Sequence, residues 1–186
     1  MGFMMNDDDI APRCDELAAR VLAWCEARGL KIAAAESLTG GLLADAFVRI
    51  PGASNVFLGS AVTYDIRAKA SVLGVDRGLL QSEGAVHPEV ARQMAAATAR
   101  LYAQPEYGDT VIGLSTTGVA GPGPDGDKPA GLVYIGLSLP AAARADGNPL
   151  LEARELRLDG DRARVRRLTV LRVLENVSQL TASFEE

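Results

Sequence analysis

A short apolar run, Ile32–Ala35, passes through Glu36 into Ser37-Leu38-Thr39-Gly40-Gly41, and an amphipathic stretch follows as far as Arg49. Four apolar residues ended by a turn signal read as a buried strand. The stretch after the glycine pair places Leu42, Leu43, Ala46 and Phe47 on one side, which is helical spacing. Pro51-Gly52 then breaks it. A strand that becomes a helix within a few residues restricts the chain to the α/β class, because the helix must fold back over the sheet it has just left.

The alternation continues along the chain. Asp15–Arg28 reads as a helix closed by Gly29, and Leu58–Tyr64 as a second strand. Asp65 can cap a helix over Ile66–Leu73, closed by Gly74. Leu79–Glu83 reads as a short helical turn. His87-Pro88 starts a long helix to Tyr102, with proline where its missing N–H costs nothing. Val111–Ser115, Leu132–Leu139 and Leu151–Leu158 read as strands, Thr116–Gly131 as a loop, and Asp161–Ser183 as a closing helix. The expected fold is α/β, a single three-layer α/β/α domain over residues 13–186 with a mixed sheet of about five or six strands. Residues 1–12 read as a disordered leader.

The acidic balance, net charge −5 and pI near 5.0, supplies no basic field for a phosphate backbone, and 5% aromatic residues leave little for base stacking. Nucleic acid is therefore not an expected partner. No apolar run approaches the roughly 20 residues that span a bilayer, so no membrane partner is expected. Cys14 and Cys25 on one helix would stand roughly 16 Å apart by the helical rise, too far for a disulfide. A reduced, cytoplasmic protein fits these features.

Several familiar chemistries fail. GPGPDG at 121–126 matches a dinucleotide fingerprint in letters, yet prolines intervene and a strand follows where a helix should open. One histidine, His87 at a helix cap, and two helical cysteines provide neither a zinc site nor a Ser-His-Asp triad. No metal and no cofactor is expected. A hydrolase in this chain needs another base. Of 19 basic residues only Lys31, Lys69 and Lys128 are lysines, and a lysine can take a proton when burial lowers its pKa. Lys69 lies in the first turns of a helix whose other face is apolar, five residues after Tyr64, and a tyrosine hydroxyl there could hold the lysine or relay a proton. The Ser37–Gly41 turn presents N–H groups suited to a phosphate or carboxylate. Thr116-Thr117-Gly118 follows another strand end.

AESLTGG, GSAVTYDIRAKASVLGV, GAVHPEVARQMA, STTGVAGP, KPAGLVYIGL and GDRARVRRLTVLRVL occur in that order, and together they resemble the C-terminal domain family of the competence/damage-inducible protein CinA. The resemblance covers roughly residues 15–180. It implies a serine–lysine amidohydrolase that converts nicotinamide mononucleotide to nicotinic acid mononucleotide and ammonia. It further implies Ser54 of the PGAS block as nucleophile, Lys69 as base and Tyr64 as its partner. Thr117 and Arg162 match the family's threonine and arginine, and with Ser37, Thr39, Gly40 and Gly41 of the turn and Gly118, read above from the residues, they are the expected contacts for a small-molecule nucleotide. A homodimer is implied by the resemblance as well. Larger members carry an additional N-terminal pyrophosphatase-like module. This chain reads Tyr64-Asp65-Ile66 where the family commonly reads Tyr-Ser-Asn, and its glycine loop is expanded to GPGPDGD. Three alternatives stay open. Ser37 and Ser54 could exchange roles, the fold could serve as a non-catalytic nucleotide-binding or regulatory module, and a related hydrolase could act on another amide or nucleotide.

Overall fold

The computed structural model describes residues 6–182, with side chains described through residue 180. The elements, in order, are α1 (Asp7–Ala27), β1 (Lys31–Glu36), α2 (Leu42–Val48), β2 (Phe57–Val62), α3 (Ile66–Leu73), α4 (Arg77–Glu83), α5 (Pro88–Tyr102), β3 (Val111–Gly118), β4 (Leu132–Leu139), β5 (Leu150–Arg157) and α6 (Arg162–Ala182). The five strands form one mixed sheet in the order β2-β1-β3-β4-β5. β1 runs parallel to both β2 and β3, while β4 and β5 continue antiparallel. The expected three layers are present. α1, α2 and α6 cover one face, where Leu17, Val21, Phe47, Leu171 and Leu174 pack on Ile32, Ile112 and Ile135. α5, with α3 and α4, covers the other, where Val90 and Met94 meet Leu73, Leu80 and Ala35.

Two glycines set how closely α5 lies on the sheet. A Cβ on Gly113 of β3 would collide with the Ala95 carbonyl, and one on Gly136 of β4 with the Ala91 carbonyl and Ser115 Oγ. Glycine at both places lets the helix backbone rest directly on the strands. Ser115 Oγ and Thr98 Oγ1 close that seam by donating to Ala91 O and Ala34 O, each at 2.7 Å.

The leader reading fails for residues 7–12. Asp7–Pro12 belong to α1, and Ile10 is buried in the core. Three aspartates in a first turn complement the positive end of the helix dipole. Asp7 also pairs with Arg164 and Arg167 of α6. Residues 1–5 lie outside the described residues. A second difference concerns Thr116–Gly118, expected in a loop, which extend β3 by pairing with β4 from Thr116↔Ile135 to Gly118↔Val133. Cys14 and Cys25 are both buried and free, as expected.

Candidate active site

Three parallel strands lie side by side, and a row of hydroxyl residues crosses them: Ser37 and Thr63 just past the ends of β1 and β2, and Thr116 and Thr117 near the end of β3. Glu36 is in register with Val62 on one side and Thr116 on the other. One step further, Ser37 N–H donates to Thr116 O at 3.0 Å and Thr63 N–H to Glu36 O at 2.9 Å. Ser37 therefore lies between Thr63 and Thr117, at the carboxyl ends of the strands where open α/β sheets collect ligands. Thr63 Oγ1 is buried without a hydrogen-bond partner.

α3 delivers a lysine to the middle of this row. Its N-cap Asp65 accepts from the N–H groups of Arg67 and Ala68, at 2.7 and 3.3 Å, and Gly74 closes it in the left-handed conformation. That registration turns Lys69 and Leu73 inward. Lys69 is fully buried (0% exposed), and Nζ lies 2.9 Å from Ser37 Oγ, 2.6 Å from Thr63 O and 3.5 Å from Tyr64 O. Burial lowers its pKa from 10.5 to about 8, against an upward pull from the Asp65 carboxylate. Carbonyls only accept. Nζ donates to Thr63 O and Tyr64 O, and across the 2.9 Å contact with Ser37 Oγ an ammonium donates while a neutral amine can accept the hydroxyl proton.

The turn that carries Ser37 is held from several sides. Glu36, buried at 0% exposure, accepts from Gly41 N–H at 2.9 Å, Leu43 N–H at 3.1 Å, Ala44 N–H at 3.0 Å and Ser60 Oγ at 2.9 Å. Gly40 and Gly41 take φ of +55° and +99°, which only glycine adopts without strain. Thr39 Oγ1 and Thr116 Oγ1 are 2.8 Å apart and buried. Arg166 of α6 donates to Leu38 O and Thr39 O, both at 2.9 Å.

This geometry sorts the expected site residues. Lys69 is brought to Ser37, not to Ser54. Ser54 sits in a 3-10 turn (Ala53–Asn55) ahead of β2, while Lys69 Nζ sits past the strand's other end. Roughly 20 Å of strand separates the two ends. Ser54 lines an open hollow of about 450 Å³ with Val48, Ile50 and Phe57, which includes neither Ser37 nor Lys69. The Tyr64 ring is largely exposed, and its hydroxyl receives a hydrogen bond from Arg162 Nη2 at 3.1 Å. Tyr64 thus meets Lys69 through its carbonyl rather than its hydroxyl. Arg162 also donates to Gly121 O at 2.7 Å, which ties the glycine loop to the first residue of α6. The hydroxyls of Thr39 and Thr117 are engaged within the protein, the latter with Ala85 O at 2.7 Å. Gly118 lies against β4, where a Cβ would press on Leu132 O.

The first-turn donors of α2 are taken by Glu36, so they are not an open anion site. Sequence reasoning passed over Glu36 and Arg166. An acid directly before a glycine turn and a helix start was the available signal for the first. For Arg166 the signal was its i+4 spacing from Arg162, which puts both on one face of α6.

Comparison with known proteins decides the family. The model of the CinA C-terminal domain matches residues 14–181. The chain belongs to the CinA C-terminal domain family. A CinA-like protein of Frankia casuarinae is 45% identical over 168 residues, 90% of this chain. A putative competence-damage inducible protein of Caldanaerobacter subterraneus subsp. tengcongensis is 40% identical over 164 residues, 88% of this chain. The chain spans about a third of the length of these curated relatives, 36% of each. Among solved structures, competence/damage inducible protein CihA from Agrobacterium tumefaciens superposes with a TM-score of 0.78 at 33% identity, covering 97% of this chain and 99% of that one. Competence damage-inducible protein A (ComA) from Klebsiella pneumoniae gives 0.79 at 28% identity, covering 91% and 97%. The CinA assignment agrees with the fold. Among the described residues, no helix is long and apolar enough to cross a membrane.

Proposed function

We propose that this CinA-family domain is a serine–lysine amidohydrolase that releases ammonia from the carboxamide of nicotinamide mononucleotide, with Ser37 as nucleophile in place of Ser54. The observation that carries the reading is the buried 2.9 Å contact between Lys69 Nζ and Ser37 Oγ. Serine is a weak nucleophile until a base takes its proton. A lysine lowered to about 8 is roughly one-tenth neutral at pH 7, enough to serve as that base.

In the proposed reaction Ser37 Oγ attacks the carboxamide carbon, and its proton passes to Lys69 Nζ. The carbonyl oxygen takes the developing negative charge. The C–N bond then breaks, and the amine leaves as ammonia with the proton that Lys69 returns. Water, deprotonated by the same lysine, attacks the acyl-serine ester. The acid is released and Ser37 regains its proton. No other reactant is consumed. Arg162, exposed beside Tyr64, is the residue proposed to meet the phosphate of the nucleotide. The nucleotide and its carboxamide come from the family resemblance, while the buried pair supports the hydrolytic chemistry.

Ammonia release from nicotinamide mononucleotide by the purified chain tests the proposal. Turnover by wild type and its loss in Ser37→Ala and Lys69→Arg is the expected result. A folded wild-type chain that releases no ammonia would refute the substrate. Full activity in Ser37→Ala would refute the nucleophile.

A further inference from the structure

Two consecutive peptide groups follow Ser37 with their carbonyls bound and their N–H groups unbound. The Ser37 carbonyl accepts from Gly40 N–H at 3.2 Å, and the Leu38 carbonyl accepts from Arg166 Nε at 2.9 Å. Arg166 Nη2 donates to the next carbonyl, Thr39 O, also at 2.9 Å. Among the described residues, the N–H groups of Leu38 and Thr39 make no hydrogen bond. Both residues are buried, at 3% and 0% exposure. A buried unpaired N–H is unfavourable unless a ligand uses it. In a trans peptide the N–H points opposite its C=O, so holding a carbonyl fixes where the N–H on the far side aims.

Arginine suits this task. Its planar fork presents two donors in fixed geometry to two successive carbonyls, which an ammonium cannot do. Nη2 would stand 3.5 Å from a Cβ at Gly40, so the guanidinium lies close along the turn. The other supports, Glu36 and Thr116, hold α2 and the Thr39 side chain. Neither touches the Leu38 carbonyl.

We propose that Arg166 is a positioning residue of the hydrolytic site: by holding the Leu38 and Thr39 carbonyls it aims the amides after Ser37 at the oxyanion formed when Ser37 attacks. The inference rests on Ser37 being the nucleophile. A donor pair directly after the nucleophile is where acyl-transfer sites need positive ends of dipoles. Arg166 does not touch substrate and acts through the turn.

The test is the rate at which a fluorophosphonate labels wild type, Arg166→Lys, Arg166→Gln and Ser37→Ala, with the labelled peptide located by mass and melting curves in parallel. Labelling forms the Ser37 O–P bond, expels fluoride and leaves a phosphoryl oxygen where the oxyanion would sit. Wild type should be labelled at Ser37, and Ser37→Ala should not react there. Misplacement by about 1 Å can lower rates by ~10²-fold, so both Arg166 variants should react at least about tenfold slower. The pH midpoint of labelling should stay where it is, because Lys69 is untouched. Should Arg166→Gln unfold, Arg166→Lys, which keeps the charge and the packing of α6, decides. Wild-type labelling rates in a folded Arg166→Lys protein would overturn the role of Arg166 and leave Ser37 standing. Absence of labelling at Ser37 in wild type would overturn both.

Discussion

Lys69 Nζ and Ser37 Oγ lie 2.9 Å apart, although 32 positions separate the residues in the chain. The contact depends on β1 and β2 being parallel neighbours, so that the turn after one and the helix after the other meet at the same end of the sheet. Under the proposed function it makes Ser37 the serine that should matter. Ser37→Ala should lower kcat at least about 10³-fold with an unchanged melting temperature, because a nucleophile is removed. Ser54→Ala, altering an exposed turn, should stay within about twofold of wild type. Steady-state kinetics on both variants, with thermal melts, check this.

Activity should follow the neutral fraction of Lys69. The rate should rise with pH and level off above about 8. The Asp65 carboxylate pulls that pKa upward, so Asp65→Asn, which keeps a capping side chain, should move the midpoint to lower pH. A midpoint that stays put or moves up in this variant would show that the titrating base is not Lys69.

The same group should leave a mark on stability. Below about 8 both folded and unfolded chains hold the Lys69 proton, and the folded state bears the full penalty of a buried cation. Between about 8 and 10.5 the unfolded chain binds more protons, so stability rises with pH through that window. Lys69→Met removes the penalty and should be the more stable protein at pH 7, by on the order of 1–3 kcal/mol. Its lead should shrink as pH climbs toward 10.5. Denaturant melts at pH 7 and 10 measure the difference.

Glu36→Gln should be destabilising. The carboxylate accepts four hydrogen bonds, three of them from backbone amides around the start of α2. A carboxamide offers one acceptor oxygen and turns an NH₂ toward donors. A loss of roughly 2–4 kcal/mol is expected, seen as a lower melting temperature. Retained stability would mean that water replaces the carboxylate at little cost.

Much of this fold was legible because period and punctuation agreed. Asp65 and Gly74 bound α3 as capping rules require, and Pro88 opens α5 at the first helical position. Where long-range contacts decide, local signals fell short. Asp7–Pro12 look like a solvated tail until Arg164 and Arg167, from the other end of the chain, pair with Asp7. Thr116–Gly118 look like loop until β4 pairs with them. The Ser37–Lys69 contact was hidden for the same reason. The α2 donors that the Ser37–Gly41 turn seemed to offer belong to Glu36, and nothing in local spacing reveals that Lys69 reaches across to the β1 turn.

Gly136→Ala should disturb the opposite face. The added methyl would press on Ala91 O and Ser115 Oγ, lifting α5 from the sheet at a cost of about 1–3 kcal/mol or more. An unchanged melting temperature would show that α5 can shift freely.

Glu36 has one further consequence, which concerns salt. A negative charge inside the protein already saturates the α2 start, so an incoming anion gains little from that dipole. Its attraction then falls to exposed guanidinium such as Arg162, whose field reaches through solvent and is screened over about 8 Å at physiological ionic strength. Ser37 and Lys69, both buried, feel far less of that screening. Added salt should therefore weaken capture of a phosphorylated substrate and leave the buried chemical step nearly untouched, raising KM while kcat holds.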